Sequence, residues 1–469
     1  MPDRPSVSRR LGRPSLESLF VATFALGGFG VGARPIIDNS TFVHLRTGMD
    51  MVRGAGIPRA DPYSFTARGT EWVVQSWLPA ALYGWAERLG GFLWVVLLNG
   101  ALMALLAWLM ARLARTGTPL PTFAAAGIAM GIGVPWWSPR PLIVGLICMA
   151  LVIMVVERRV NPWWLVPITW VWVQSHGSFP LGAAWLGLVI LGTWIDRRAW
   201  PADLLRYAVA FVVGLVVACV NPLGPRLLTF PLTVGEKREI FRSVVEWRSP
   251  DFQSGRGLVC AVFIVLAVVV LIRARPPWRQ VLPAAAFLLA GLVAMRNLAV
   301  LAVVVAPALG VALRHQPVVE RDRPRINVHF AALLAVAALL FGLRAATDRT
   351  VYVRSYPVAA TNWLEREGYR EPGSRVATQD VVGCYLILRD GRDAQVFIDD
   401  RVDMYPLRVS KDFESLLRGR RGSLAILDRY RIDAVLWDDD LALATMLQIS
   451  PDWRRAYTRR GWVVFVRES

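Results

Sequence analysis

Apolar runs near bilayer-spanning length recur along this chain, and no other feature restricts its fold as much. In hydrocarbon every backbone N–H and C=O must find its partner inside the protein, so a run of about 17–22 apolar residues crosses as a helix. Candidate runs occupy 16–33, 92–113, 120–136, 141–157, 163–176, 181–195, 205–221, 257–273, 281–295, 297–313 and 328–344. The weakest is 163–176, because Pro162 and Pro167 sit near its start. Composition agrees: 55% of the 469 residues are hydrophobic and only 19% charged, more apolar surface than a soluble domain can hide. The 20 Trp suit aromatic belts at membrane interfaces. The expected fold class is a polytopic α-helical membrane protein of about eleven helices.

A net charge of +18 would suggest nucleic acid if the protein were soluble. Here the basic residues gather between apolar runs, so anchoring at a membrane surface explains them and no nucleic-acid partner is expected. Arg112 and Arg115, Arg158 and Arg159, Arg197 and Arg198, Arg273 with Arg275 and Arg279, and RHQPVVERDRPR (314–325) fall in alternate connections. The short connections between them hold only Arg140 in WWSPR, His176 in QSHGS and Arg296 in MRN. Arg9, Arg10 and Arg13 precede the first run like the n-region of a signal peptide, but no convincing cleavage site follows. The bias predicts a cytoplasmic N-terminus and, with an odd number of spans, an outer C-terminus. Cys148, Cys219 and Cys260 lie in apolar runs and Cys384 stands alone, so no disulfide framework or metal spacing is visible.

That topology divides the chain into a transmembrane domain, 1–344, with outer loops at 34–91 and 222–256, and an extracytoplasmic α/β domain, 345–469. Within the first loop, Trp72 to Leu89 reads as an amphipathic helix at the interface. In the tail, RVATQ, CYLILR, AQVFIDD, DAVLWDD and GWVVFVRE read as strands, and AATNWLEREG, KDFESLLRG and LALATMLQI as helices.

The outer side collects Asp38, His44, Arg46, Asp61, Arg140, His176, Arg226, Glu246 and Arg296 near the bilayer. A charge at membrane depth costs about 2.5–3.5 kcal/mol on insertion scales, so chains keep such residues mostly where they pair or work. One face therefore reads as a site and the other as an anchor. Each residue also has a structural explanation. Arg34 and Arg46 can snorkel to headgroups, Asp38 can cap or pair, Arg140 can anchor at the interface, and His176 before Gly177 can end a helix. Asp399 and Arg401, in a DDR motif after a strand, can pair to shape a loop. A carboxylate beside a cavity can take a proton from an acceptor hydroxyl, and several Arg can hold a phosphate. Together they suit sugar transfer from a lipid-linked phosphate donor, although an ion-coupled carrier needs similar residues.

The strings DNSTFVHLRTG (38–48), GIPRADPYSFT (56–66), Trp72, SWL (76–78), Arg140–Pro141, WVQSHG (172–177), Glu246–Trp247, Pro250–Phe252, Arg296–Asn297, Tyr356–Pro357 and FIDDRVDMY (397–405) carry a resemblance over nearly the whole chain. The layout resembles the GT-C class of membrane glycosyltransferases, which holds oligosaccharyltransferase catalytic subunits and protein O-mannosyltransferases. More closely it is similar to a family of bacterial GT-C-like membrane proteins. That resemblance implies sugar transfer from a polyprenyl-phosphate-linked donor to a glycan, lipid or protein acceptor outside the bacterial cytoplasmic membrane. It implies Asp38 as base or metal contact and Asp61 as second acid. Donor or acceptor contacts fall to His44, Arg46, Arg140, His176, Glu246 and Arg296, with Asp399 and Arg401 in an outer domain covering the cavity. Ser40 stands where the family's first motif has its second Asp, and Phe42 and Val43 replace residues, Trp among them, before His44. This departure weakens the implied Mg or Mn bridge and leaves open a metal-independent transfer on Arg contacts. The alternatives are a carrier or flippase for a lipid-linked precursor, and a GT-C-like scaffold without catalysis.

Overall fold

The computed structural model describes residues 14–237, 245–314, 324–347, 351, 353 and 355–468. Arg9, Arg10 and Arg13, residues 238–244 of the second outer loop and residues 315–323 of the RHQPVVERDRPR run lie outside the described residues.

In chain order the first helices are α1 (Leu16–Gly32), α2 (Asn39–Asp50), α3 (Trp77–Leu113), α4 (Pro119–Gly133), α5 (Leu142–Glu157), α6 (Leu165–Ser175) and α7 (Pro180–Arg197). They are followed by α8 (Ala202–Val217), α9 (Arg226–Glu236), α10 (Gly255–Ala274), α11 (Trp278–Val293), α12 (Arg296–Ala312) and α13 (Pro324–Thr347). Every apolar run falls on one of these helices. Trp77–Leu113, Gly255–Ala274 and Arg325–Thr347 are each long and apolar enough to cross a membrane. Burial sorts the helices by depth. α5 and α12 are buried almost all round, as central helices must be. The apolar windows of α10 and α13 are only 17% and 6% buried and present Val262, Leu266, Leu333, Val336 and Leu340 outward. An apolar surface of that extent fits a lipid-facing rim. This is a membrane protein.

Two elements of the first loop differ from expectation. The helix begins at Trp77, not Trp72, and continues through a kink at Gly90 and Gly91 (φ +67° at Gly91) into the span that ends at Leu113. Residues 72–76 stay non-helical, with Trp72 buried under Arg401. α2 lies directly against α3 because neither Gly48 nor Gly84 has a side chain. A Cβ on Gly48 would strike the Ala80 carbonyl, and one on Gly84 would strike that of Gly48. Small residues allow backbones to approach this closely.

The tail folds around a four-stranded sheet, β1 (Val376–Thr378), β2 (Ala434–Asp438), β3 (Trp453–Arg459) and β4 (Trp462–Arg467), in the order β1-β2-β4-β3. The β1–β2 pair is parallel, the others antiparallel. Helices α14 (Val358–Arg366), α15 (Asp380–Asp390), α16 (Leu407–Leu417), α17 (Ser423–Arg429) and α18 (Ala442–Ile449) surround it. CYLILR is part of α15 and not a strand. A short apolar run has no decisive period, and Gly383 lets this helix press against the Ile398 carbonyl. AQVFIDD joins no sheet. It runs beside the first loop through a parallel bridge from Ser64 to Val396. β3 escaped notice because it is an edge strand with mostly exposed, Arg-rich positions and no apolar alternation.

The buried residues form two cores. One lies among the helices, around Met110, Ile153, Trp172 and Val303. The other joins Phe42, Tyr63, Trp72 and Tyr83 of the first loop to Phe397, Tyr405, Trp437 and Phe465 of the tail. The first loop and the α/β domain are thus packed as one unit.

Candidate functional site

A cleft of about 920 Å3, counted to its open mouth, lies where these two cores meet. Ser40 and His44 of α2, the 72–76 segment, Arg140 to Leu142, His176 after α6, Phe230 of α9, Glu246, Arg296, and Asp400, Arg401 and Asp403 of the tail line it. Residues far apart in the chain converge there through Arg140. Its Nε donates to both oxygens of Asp38, at 2.9 and 2.8 Å, and its Nη1 pairs with Glu246. Burial alone would lower the guanidinium pKa, but the carboxylates of Asp38, Glu246 and Asp400 outweigh it and hold the pKa up.

Asp38 is fully occupied. It caps α2, accepting from the N–H groups of Ser40 (3.0 Å) and Thr41 (3.4 Å), and it also takes Ser138 Oγ at 2.5 Å besides Arg140. An ionised carboxylate offers about four acceptor sites, so little capacity remains for a substrate proton or a cation. Asp38, expected as base or metal contact, is engaged here with Arg140, Ser138 and the first turn of α2. It sits behind the cleft and holds Arg140.

Asp61 and Asp399 also fall outside the cleft, in a buried knot around Arg401. Arg401 Nη1 reaches Asp61 at 2.7 Å, its Nη2 reaches Asp399 at 2.6 Å, and its guanidinium lies 4.4 Å from the Trp72 ring centre. Tyr405 donates to Asp399, and Ser64 with the Tyr63 N–H donates to Asp61. Asp61, expected as second acid, and Asp399 are both engaged with Arg401. Of this group Arg401 and Trp72 have an edge on the cleft. Arg46 is turned away, paired with Asp50 at 2.9 Å.

His44 and His176 both line the cleft. Burial first, then Arg140, lowers the His44 pKa to about 4 against the pull of Asp38, so its imidazole is neutral. His176 accepts the Ser178 N–H on Nδ1 at 3.2 Å. That bond leaves Nε2 to carry the proton of a neutral ring. Arg296, at the start of α12, lies 4.4 Å from the Trp247 ring centre. The sequence expectations that meet at the cleft are thus His44, Arg140, His176, Glu246, Arg296 and Arg401.

Asp400 and Asp403 were missed. Among the described residues the Asp400 carboxylate takes no hydrogen bond, and burial pushes its pKa up to about 7 against the opposing pull of Arg140, with Asp380, Asp38 and Glu246 adding to the rise. Burial likewise raises the pKa of Asp403. A signal for Asp400 existed. In extended backbone successive side chains face opposite ways, so once Asp399 turns inward with Phe397, its neighbour must face out.

Around His176, Phe230, Arg296 and Asp403 the cleft opens into a more apolar crevice that continues past Leu181, Pro231, Trp247 and Val300. Among the described residues no three His, Cys, Asp or Glu side chains are grouped to hold a metal ion. Asp38 and Glu246 both pair with Arg140, which leaves Asp400 as the neighbouring acid without a hydrogen bond among the described residues.

No protein-family model and no curated protein matches the chain. Solved structures do. The apo oligosaccharyltransferase of Archaeoglobus fulgidus superposes with a TM-score of 0.57 at 12% identity, over 90% of this chain and 69% of that one. The archaeal oligosaccharyltransferase AglB of the same organism, in complex with an inhibitory peptide and a dolichol-phosphate, gives 0.55 at 12% identity, over 96% and 74%. The chain therefore shares its fold with these two oligosaccharyltransferase structures.

Proposed function

We propose that this protein is a membrane glycosyltransferase that moves a sugar from a polyprenyl-phosphate-linked donor to an extracytoplasmic acceptor. The observation that carries the proposal is a single cleft lined by Arg140, Arg296 and Asp400, a carboxylate that takes no hydrogen bond among the described residues. The adjoining apolar crevice offers a place for the lipid next to the bilayer. A fold shared with an enzyme solved with dolichol-phosphate and a peptide supports a lipid-linked donor, though not the identity of the acceptor.

In the proposed reaction Arg140 and Arg296 hold the donor phosphate by charge-assisted bonds, and the His176 Nε2–H donates alongside them. The bond between the sugar C1 and the phosphate oxygen breaks, and its electron pair leaves on the phosphate. The acceptor oxygen bonds to C1, and its proton passes to Asp400, whose raised pKa suits a base working near neutrality. Asp38 and Glu246 position Arg140, and the transfer runs on Arg contacts without a metal step. The protein sits in a bacterial cytoplasmic membrane with eleven spans, the N-terminus inside and the cleft outside.

The test is sugar transfer in membranes carrying the wild type or Arg296→Gln, using a panel of radiolabelled polyprenyl-phosphate sugars. We expect transfer from at least one donor and a loss of tenfold or more in R296Q. No transfer from any donor by correctly inserted wild type would favour the carrier or the scaffold instead.

A further inference from the structure

Three helices that begin at the cleft also end together. α3, α5 and α12 close at Leu113, Glu157 and Ala312, and α5 alone separates the two ends by roughly 24 Å at about 1.5 Å per residue. There Arg112, Arg115, Arg158 and Arg314 line a pocket with Thr116 and Glu157.

Complementing helix C-termini and anchoring at a membrane surface require only that these cations reach water. Two observations go further. Among the described residues the Arg112 Nε is buried without a hydrogen-bond partner, where an unmet buried donor is costly. In addition, burial and then the facing Arg112 and Arg115 push the Arg158 guanidinium pKa down, while its Nη2 is tied to the Arg112 carbonyl at 3.0 Å. The neighbouring acids are already used: Glu17 holds Arg115, and Glu157 holds Arg279 and Gln280. Cationic donors thus gather in an open pocket, and among the described residues its acids are already engaged.

We propose that this pocket binds a phosphate group, with the guanidinium groups of Arg112, Arg158 and Arg314 as its donors. A phosphate matches the pocket because its several oxygens can accept from converging guanidinium groups. The same chemistry is offered by an anionic phospholipid headgroup and by a soluble phosphoanion. The site is independent of sugar transfer at the cleft.

The test is the melting temperature of the delipidated full chain in detergent, with added phosphatidylglycerol, phosphatidylcholine or inorganic phosphate. Ligand binding to the folded state raises the melting temperature, here by at least about 2 °C. R158Q and R314Q, the latter at an exposed side chain where folding is not at stake, should each remove most of the rise. The R273Q/R275Q pair removes twice the charge of either single variant near the α10–α11 turn, at the same end of the bundle, and should leave the rise intact. A response to phosphatidylglycerol alone assigns the phosphate to a lipid headgroup, and a response to inorganic phosphate as well assigns it to a soluble anion. No rise with any ligand, or an equal loss in R273Q/R275Q, overturns the proposal.

Discussion

Arg401 and Asp400 are adjacent in sequence and opposite in role. Arg401 is 6% exposed and answers two buried carboxylates, those of Asp61 and Asp399. Removing one partner of such a buried group leaves uncompensated charge, so R401A should destabilise the fold by about 3–5 kcal/mol, read as a fall in thermal or denaturant stability. Asp400 behaves in the reverse sense. Its folded-state pKa of about 7 lies above that of the unfolded chain, so from acid to neutral pH the folded state binds more protons and loses stability as pH rises. D400N should therefore raise the melting temperature more at pH 8 than at pH 5. An equal shift at both values would show that burial of this carboxylate has been misjudged. His44 acts at lower pH. Its depressed pKa means the unfolded chain gains the proton first, so stability falls as pH drops from the ordinary histidine range towards about 4.

At the scale of elements, α2 is placed by two glycines. Its contact with α3 leaves no volume at Gly48 or Gly84, and α2 carries both Ser40 and His44 into the cleft. G84V should drive the helices apart, costing at least about 1–3 kcal/mol by overpacking, and limited proteolysis should find new cleavage within residues 51–76. Unchanged protection would contradict this packing. The span-forming helices were legible because their apolar runs are long and bounded by Arg clusters. The sheet was only partly so: β2 and β4 are buried runs, whereas CYLILR had no period to distinguish strand from helix, and β3 hides its pairing behind exposed arginines. The site was legible as a set of polar residues on one side of the membrane. Their roles were not, because Asp38, Asp61 and Asp399 look alike in sequence until hydrogen bonds show which carboxylates are already spent.

For the whole molecule the consequential fact is the second core. Phe397 and Tyr405 of the tail pack with Tyr63 and Trp72 of the first loop, and the Phe65 N–H and Val396 carbonyl join at 3.1 Å across more than three hundred residues of chain. The cleft is therefore roofed by the unit formed from loop and tail and floored by the helical bundle. A fragment spanning 351–468 alone should expose apolar surface and lack a cooperative melt, whereas a cooperative transition in that fragment would mean the tail folds independently. The proposed topology puts the α/β unit and the C-terminus outside the cytoplasm, so an alkaline phosphatase fused after Ser469 should be active and one fused to the N-terminus inactive.

The most direct test of the central claim, that this cleft transfers sugar with Asp400 as its base, is the pH dependence of transfer in wild type and D400N. The account predicts a wild-type rate that climbs through about pH 7, as the Asp400 carboxyl loses its proton, and a loss of about 10²–10⁴-fold in D400N with that limb gone. A D400N protein that transfers at the wild-type rate with the same pH profile would contradict it.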